Sequence, residues 1–383
     1  MRRFAFGFAL CLLACSARDP ERVAERVGST SSAVISGSDS DASQDSVVLI
    51  MHYDALKAGG GTEGCTGVLL TPELVLTARH CVSVTDGSAA CTSDGTAISG
   101  GGVQSDFKAD ALYVFGGNKR PNFITGVDTA ARGAEIITTG AKTICNNDLA
   151  LLRLDRPVAN SKISPIRVDS LVKAGEKITV VGWGVTMTTS YPDVRQTRSG
   201  IEITQAGPAR QLGSAEFKTG EGTCSGDSGG PALAESGAVL GVLSRGGNGS
   251  GATGADNCVG GENVWTAIAP HRDLILDAIA KTGQEPWIEG NPNPRLAALG
   301  GVCTVDDACQ SGVCNAGKQQ CSQLCDVDPC PGGWACTEQS GRKVCEQQKE
   351  DDDGGCNTSG RGQGSSTWLL ALAGLSILLK RKR

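Results

Sequence analysis

The stretch GTCSGDSGGP, residues 222–231, gathers small residues around one Asp and one Ser. Three glycines and a proline flank Asp227 and Ser228, so neither a helix nor an ordinary strand fits there. One reading is a surface loop, because Gly, Ser, Asp and Pro are the common turn residues. The other is a nucleophile held beside backbone N–H groups. Partner residues elsewhere in the chain decide between the two.

A serine hydroxyl is a weak nucleophile and needs an adjacent base, usually histidine. The chain has three histidines. His52 lies early, in IMHYD, beside an expected strand. His271 opens an expected helix, where a cap or surface role is the common one. His80 ends the apolar strand of LTARHC, and Cys65, sixteen residues before Cys81, offers a bridge that would hold the ring in place. A base of this kind is oriented by a buried carboxylate on its second ring nitrogen. Asp148, in CNNDLALLRL, stands immediately before a strongly apolar strand. Alone it reads as a turn aspartate or helix cap; beside LTARHC and GDSGGP it becomes the third partner.

Around these residues run short β-branched segments separated by turn signals: GVLL (67–70), ELVLT (73–77), LALLRL (149–154), ITVVGWG (178–184) and VLGVLSRGG (239–247). This pattern fits an all-β barrel or a sandwich pair. APHRDLILDAIAK, 269–281, places Leu274, Ile275, Ala278 and Ile279 at helical spacing and predicts one terminal amphipathic helix.

CTGVLLTPELVLTARHC, NNDLALLRL and TCSGDSGGP, in that order, with GWG at 182–184 and LSRGG at 243–247, resemble the trypsin/chymotrypsin family of serine endopeptidases over about residues 34–282. The resemblance implies an all-β fold of two six-stranded barrels with a C-terminal helix, and an active site in the cleft between the barrels. It implies Ser228 as nucleophile, His80 as general base and then acid, and Asp148 as the residue orienting the ring. The N–H groups of Gly226 and Ser228 would form the oxyanion hole. Ser244 and Gly246 fall where the family seats the substrate backbone as an added strand. No metal or cofactor is implied, and no acidic loop has a recognisable calcium-ligand spacing. A surface binding protein on an inactive protease fold is the rival class; the completeness of the triad argues against it.

The same resemblance implies a zymogen. Cleavage after Ala33 by an activating protease would free Val34, whose amino group would pair with Asp227. VISG, 34–37, resembles the family's new N-terminus, with two departures: Ser36 replaces a glycine, and Ala33 is not basic. At the floor of the primary pocket, six residues before the nucleophile, stands Gly222. Gly246 leaves a wall open, Asn263 falls at the back, and Glu262 is near in sequence. An uncharged P1 side chain is expected. The implied bridges are Cys65–Cys81 and Cys224–Cys258, with Cys91–Cys145 left over, tying the Gly-rich insert at 86–110 near Asp148.

Length, charge and cysteines bound the rest. A chain of 383 residues accommodates two domains and tails. Its net charge of −6 argues against a nucleic-acid binder. Residues 1–15 have the layout of a secretory signal, and LLAC at its end resembles a bacterial lipobox with Cys15 as the lipidated residue. Of 17 cysteines, six lie within 65–258 and eight within 303–345, and those fourteen can all pair. Residues 16–33 read as propeptide, 34–283 as the protease domain and 284–302 as a Pro/Gly/Asn linker. Residues 303–345 read as a four-disulfide module, since the segment has no histidine for a zinc site.

Residues 346–383 read as an acidic spacer and membrane tail. There Trp368–Leu379 is apolar and short, and KRKR follows it. Gly355–Cys356 ahead of that run resembles a myxobacterial-type sorting signal, with Cys356 as the processing and attachment site. The expected location is therefore the bacterial cell surface or outer membrane, with protein or peptide substrates.

Overall fold

The computed structural model describes residues 34–54, 61–87, 89–123, 130–185, 191–247 and 258–348. The expected signal, propeptide, Cys15 and Cys356, with the tail from residue 349, lie outside these. Among the described residues no helix is long and apolar enough to cross a membrane.

Six strands close the first barrel: β1 (Val47–Asp54), β2 (Gly61–Thr71), β3 (Leu74–Thr77), β4 (Leu112–Phe115), β5 (Ala131–Thr138) and β6 (Ala150–Leu154), in the spatial order β5-β6-β3-β2-β1-β4. Six more form the second: β7 (Lys177–Gly182), β8 (Gln196–Ala206), β9 (Glu216–Thr219), β10 (Pro231–Leu233), β11 (Val239–Gly247) and β12 (Glu262–Ala267). Their order is β8-β7-β10-β11-β12-β9, and pairing of β8 with β9 closes the ring. This is the double barrel expected; closure leaves no long unpaired edge.

Alternation along the strands gives each barrel its own core. Val48, Ile50, Val75, Leu112, Val114 and Leu152 fill the first; Val180, Ile203, Phe217, Leu240 and Trp265 fill the second. A third cluster joins the barrels, with Val47, Leu74 and Leu149 against Val181, Val239 and Val242. The terminal helix α1 (Arg272–Ala280) packs Ile275, Ala278 and Ile279 into that junction, after a 3₁₀ turn over Ala269–His271 with Pro270.

The expected linker 284–302 is structured instead. Trp287 packs on the first barrel's core, Ile288 bridges to Ile166, and Glu289 forks onto Arg167, with a contact of 2.8 Å. Turn-forming composition does not reveal that one aromatic and one aliphatic side chain gain by burial. The chain divides after Leu296. The second unit, beginning at Ala297, carries two small hairpins, Cys314–Asn315 with Gln320–Cys321 and Trp334–Gln339 with Arg342–Gln347. Its bridges are Cys303–Cys314, Cys309–Cys321, Cys325–Cys336 and Cys330–Cys345. Two successive groups of four cysteines thus pair first to third and second to fourth.

Candidate active site

His80 stands in a 3₁₀ turn, Arg79–Cys81, directly after β3, and the Cys65–Cys81 bridge fastens that turn to β2. Asp148 precedes β6 and is fully buried. Its Oδ1 accepts the His80 backbone N–H at 2.9 Å, and its Oδ2 lies 2.8 Å from His80 Nδ1. Ser244 Oγ, on β11, donates to the same Oδ2 at 2.6 Å. Burial pushes the Asp148 carboxyl up, but the His80 charge and hydrogen bonds with those from Ser244 hold it below the usual carboxylate range. Burial likewise pulls the His80 imidazole down, and the Asp148 charge and hydrogen bond outweigh that and raise it. An ionised Asp148 fixes the proton on Nδ1, which leaves Nε2 as the basic nitrogen.

Ser228 lies in the turn between Cys224 and β10, and it lines, with His80, one cleft of about 340 Å³. The turn is held from several sides. The Ser228 carbonyl accepts the Thr66 N–H at 2.8 Å, and Thr66 Oγ1 donates to the Gly226 carbonyl at 2.9 Å. Gly229 and Gly230 exchange backbone bonds with Leu243 on β11, of 2.8 and 2.9 Å. Gly226 has φ +97°, and a Cβ there would come within 2.8 Å of Gly184 Cα, so glycine is required. Among the described residues neither the Gly226 nor the Ser228 backbone N–H meets an acceptor.

Asp227 points away from this cleft chemistry. Its buried carboxylate accepts the N–H groups of Gly184 at 2.8 Å and Cys224 at 2.9 Å. Among the described residues no cation pairs with it, and burial pushes its pKa up to about 7 against those two N–H groups. Val34 is fully buried, packed with Ile178, Val180 and Ile201. Ser36 takes φ +58°, the left-handed conformation natural to the glycine it replaces.

Of the residues expected at the specificity pocket, Ser244, Gly246 and Asn263 line the cleft. Gly222 is buried and is not among its described lining residues; a Cβ on it would meet Ile201. Thr223 lines the cleft instead, donating to Asn263 Oδ1 at 2.6 Å, while Asn263 Nδ2 donates to the Gly220 carbonyl at 2.8 Å. Glu262 is paired with Lys218 at 2.9 Å. The structure also forms Cys91–Cys145 and Cys224–Cys258. His52 stacks on Phe107, with ring centroids 3.7 Å apart, and His271 Nε2 lies 2.8 Å from the Asn146 carbonyl, so neither joins the cleft. The clusters of cysteine sulfurs that could hold a metal are committed to disulfides.

Sequence reasoning missed Thr66, which ties β2 to the Ser228 turn, and the ion pair of Arg245 with the fully buried Glu216 (2.8 Å). Arg245 was visible inside LSRGG, but its partner 29 residues away carries no local signal.

Two six-stranded barrels with an Asp–His pair and a serine on one cleft define a serine protease of the double-barrel class. The family model for Trypsin matches residues 51–260, and the chain belongs to that family. Snake venom serine protease Haly-2 of Gloydius brevicauda is 30% identical over 267 residues, covering 66% of this chain and 89% of that protein. Beta-fibrinogenase mucrofibrase-3 of Protobothrops mucrosquamatus is 28% identical, with 66% and 89% covered. Phenoloxidase-activating factor 3 of Holotrichia diomphalia is 25% identical, with 63% and 71% covered. The protein is a trypsin-like serine endopeptidase.

Proposed function

We infer that this endopeptidase works through Ser228, His80 and Asp148, is made as a zymogen, and is secreted and held at the bacterial cell surface. The observation that carries the reading is the His80 ring locked onto buried Asp148 at 2.8 Å, on a cleft that Ser228 shares. Ser228 Oγ attacks the scissile carbonyl while His80 Nε2 takes its proton; the bond from carbonyl carbon to nitrogen then breaks as that proton passes to the leaving amine. Water repeats the sequence on the acyl-enzyme. The unengaged N–H groups of Gly226 and Ser228 receive the oxyanion, each such donor being worth about 10²–10³ in turnover. A pocket ending in Thr223 and Asn263, with Glu262 lining a different groove, suits an uncharged P1 side chain.

Activation follows from the buried Asp227 and the buried Val34. Cleavage after Ala33 turns the Val34 nitrogen into an ammonium, the cation that Asp227 otherwise lacks among the described residues. Secretion is favoured by seven disulfides, which persist in oxidising compartments, and by relatives whose names place them in snake venom. Anchoring rests on the sequence of the tail and on Cys15 and Cys356.

Labelling by a serine-directed fluorophosphonate tests the core of this reading. The chain begun at Val34 should label, the full-length chain should not, and Ser228→Ala should abolish the signal. Equal labelling of both forms removes the zymogen; no labelling of a folded, disulfide-bonded protein removes the nucleophile.

A further inference from the structure

The cleft does not end at Gly246. A second groove, of about 380 Å³, continues from it, and Arg245 and Gly246 line both. Ala89 and Ala90 also line this groove; they belong to the insert that Cys91–Cys145 fastens near Asp148. Arg210, Lys218 and Glu262 complete the residues that set its chemistry.

Charge here is tilted toward cations. Arg245 forks onto Glu216 at 2.8 and 3.1 Å, and the two charges cancel. Lys218 meets Glu262 at 2.9 Å, but the Glu262 side chain is 56% exposed, where water competes for such a pair. Arg210 is exposed and has no carboxylate partner among the described residues.

We propose that this groove selects substrates with acidic side chains a few residues before the scissile bond. The proposal rests on the reading of Ser228 as nucleophile and of the Ser244–Gly246 edge as the seat of the substrate backbone. A peptide laid antiparallel to β11, with its scissile carbonyl at Ser228, sends its N-terminal residues from Ser244 toward Gly247. That path leads out of the cleft and into the groove, because Gly246 belongs to both. Alternate side chains of an extended peptide face the same way, so one of the third to fifth residues turns into the groove. A carboxylate there gains Arg210 and shares Lys218 with Glu262; a lysine there confronts Arg210.

Internally quenched peptides that share one core and carry Glu, Gln or Lys at the third to fifth positions before the scissile bond test this. They are given to the full-length chain and to the same chain begun at Val34, with active sites counted by fluorophosphonate. The expected kcat/KM is about 3- to 10-fold higher for Glu than for Lys at low salt, the size of one or two exposed ion pairs. The ratio should shrink as salt screens the groove. Arg210→Gln should narrow it, and Arg210→Glu with Lys218→Glu should reverse it. Equal rates for the three peptides, or a ratio unmoved by these substitutions, overturns the proposal. Should labelling of Ser228 itself fail, the nucleophile falls separately. Fluorescence anisotropy of the Glu and Lys peptides then decides the groove: tighter binding of Glu upholds it, and equal binding ends it.

Discussion

Asp148 accepts three hydrogen bonds inside the protein, two from His80 and one from Ser244, and the consequence is read at the imidazole. Burial alone would lower the ring's pKa, yet the Asp148 charge and hydrogen bond carry it above the ordinary 6.5. Catalysis needs the neutral ring, so the acid limb of kcat/KM should fall above pH 6.5. Asp148→Asn removes the charge; the limb should move to lower pH while kcat drops by about 10⁴-fold. A pH–rate profile of both proteins checks the shift, and a limb that stays in place would count against His80 as the base. Asp227 runs the other way. Its folded pKa of about 7 lies above the ordinary 3.8, so the uncleaved fold holds a proton that the unfolded chain has released. Stability from this group is present below the ordinary carboxylate range and is lost as pH rises through about 7. The melting temperature of the uncleaved chain should therefore fall between pH 5 and pH 8, and Asp227→Asn should flatten that fall. The proposed pairing with a Val34 ammonium would keep the carboxylate charged, so in a form cleaved before Val34 the same fall should be absent.

Between β9 and β11 the pair Glu216–Arg245 replaces apolar packing with a buried charge, and Glu216 also accepts the N–H groups of Gly213 at 2.8 Å and Asn146 at 3.3 Å. Taking away Arg245 leaves the Glu216 carboxylate charged in a dry site, at a cost of about 3–5 kcal/mol. Arg245→Met should lower the unfolding free energy read from a urea titration by that amount, whereas Glu216→Gln with Arg245→Met should lose less than the sum of the single changes. Additive losses in this double-mutant cycle would mean the pair is not coupled. None of this was legible in sequence. The runs around His80, Asp148 and Ser228, to which we assign the chemistry, were, because each joins turn residues to an adjoining apolar strand locally. Short strands alone left barrel and sandwich open, and the resemblance carried by those runs decided it. Of the pocket residues reached by counting along the motifs, Ser244, Gly246 and Asn263 line the cleft; Thr223, which holds Asn263 by a hydrogen bond across 40 residues, carried no local signal.

Over the whole molecule the two units are stabilised by different means. The first has three extensive apolar clusters and three disulfides; the second has a cluster made largely of half-cystines, Cys303, Cys309, Cys314 and Cys321. Fourteen pairable cysteines could be counted from the sequence, but eight of them allow 105 connectivities, and only the structure gives the repeated first-to-third, second-to-fourth pattern. Composition also misplaced the boundary, since Trp287 and Ile288 draw 284–296 onto the first unit. The bridges of the second unit span 11 to 15 residues, each contributing about 3 kcal/mol if stabilisation comes from the entropy of the unfolded chain. Without them so few apolar side chains cannot offset the entropy of ordering the backbone. Graded reduction should therefore unfold the second unit first. At an intermediate thiol concentration, limited proteolysis should cut within 297–348 while a fragment covering 34–296 survives and still labels with fluorophosphonate. Loss of labelling before any cut in the second unit would show that the bridges at Cys65–Cys81, Cys91–Cys145 and Cys224–Cys258, rather than the apolar clusters, set the stability of the barrels.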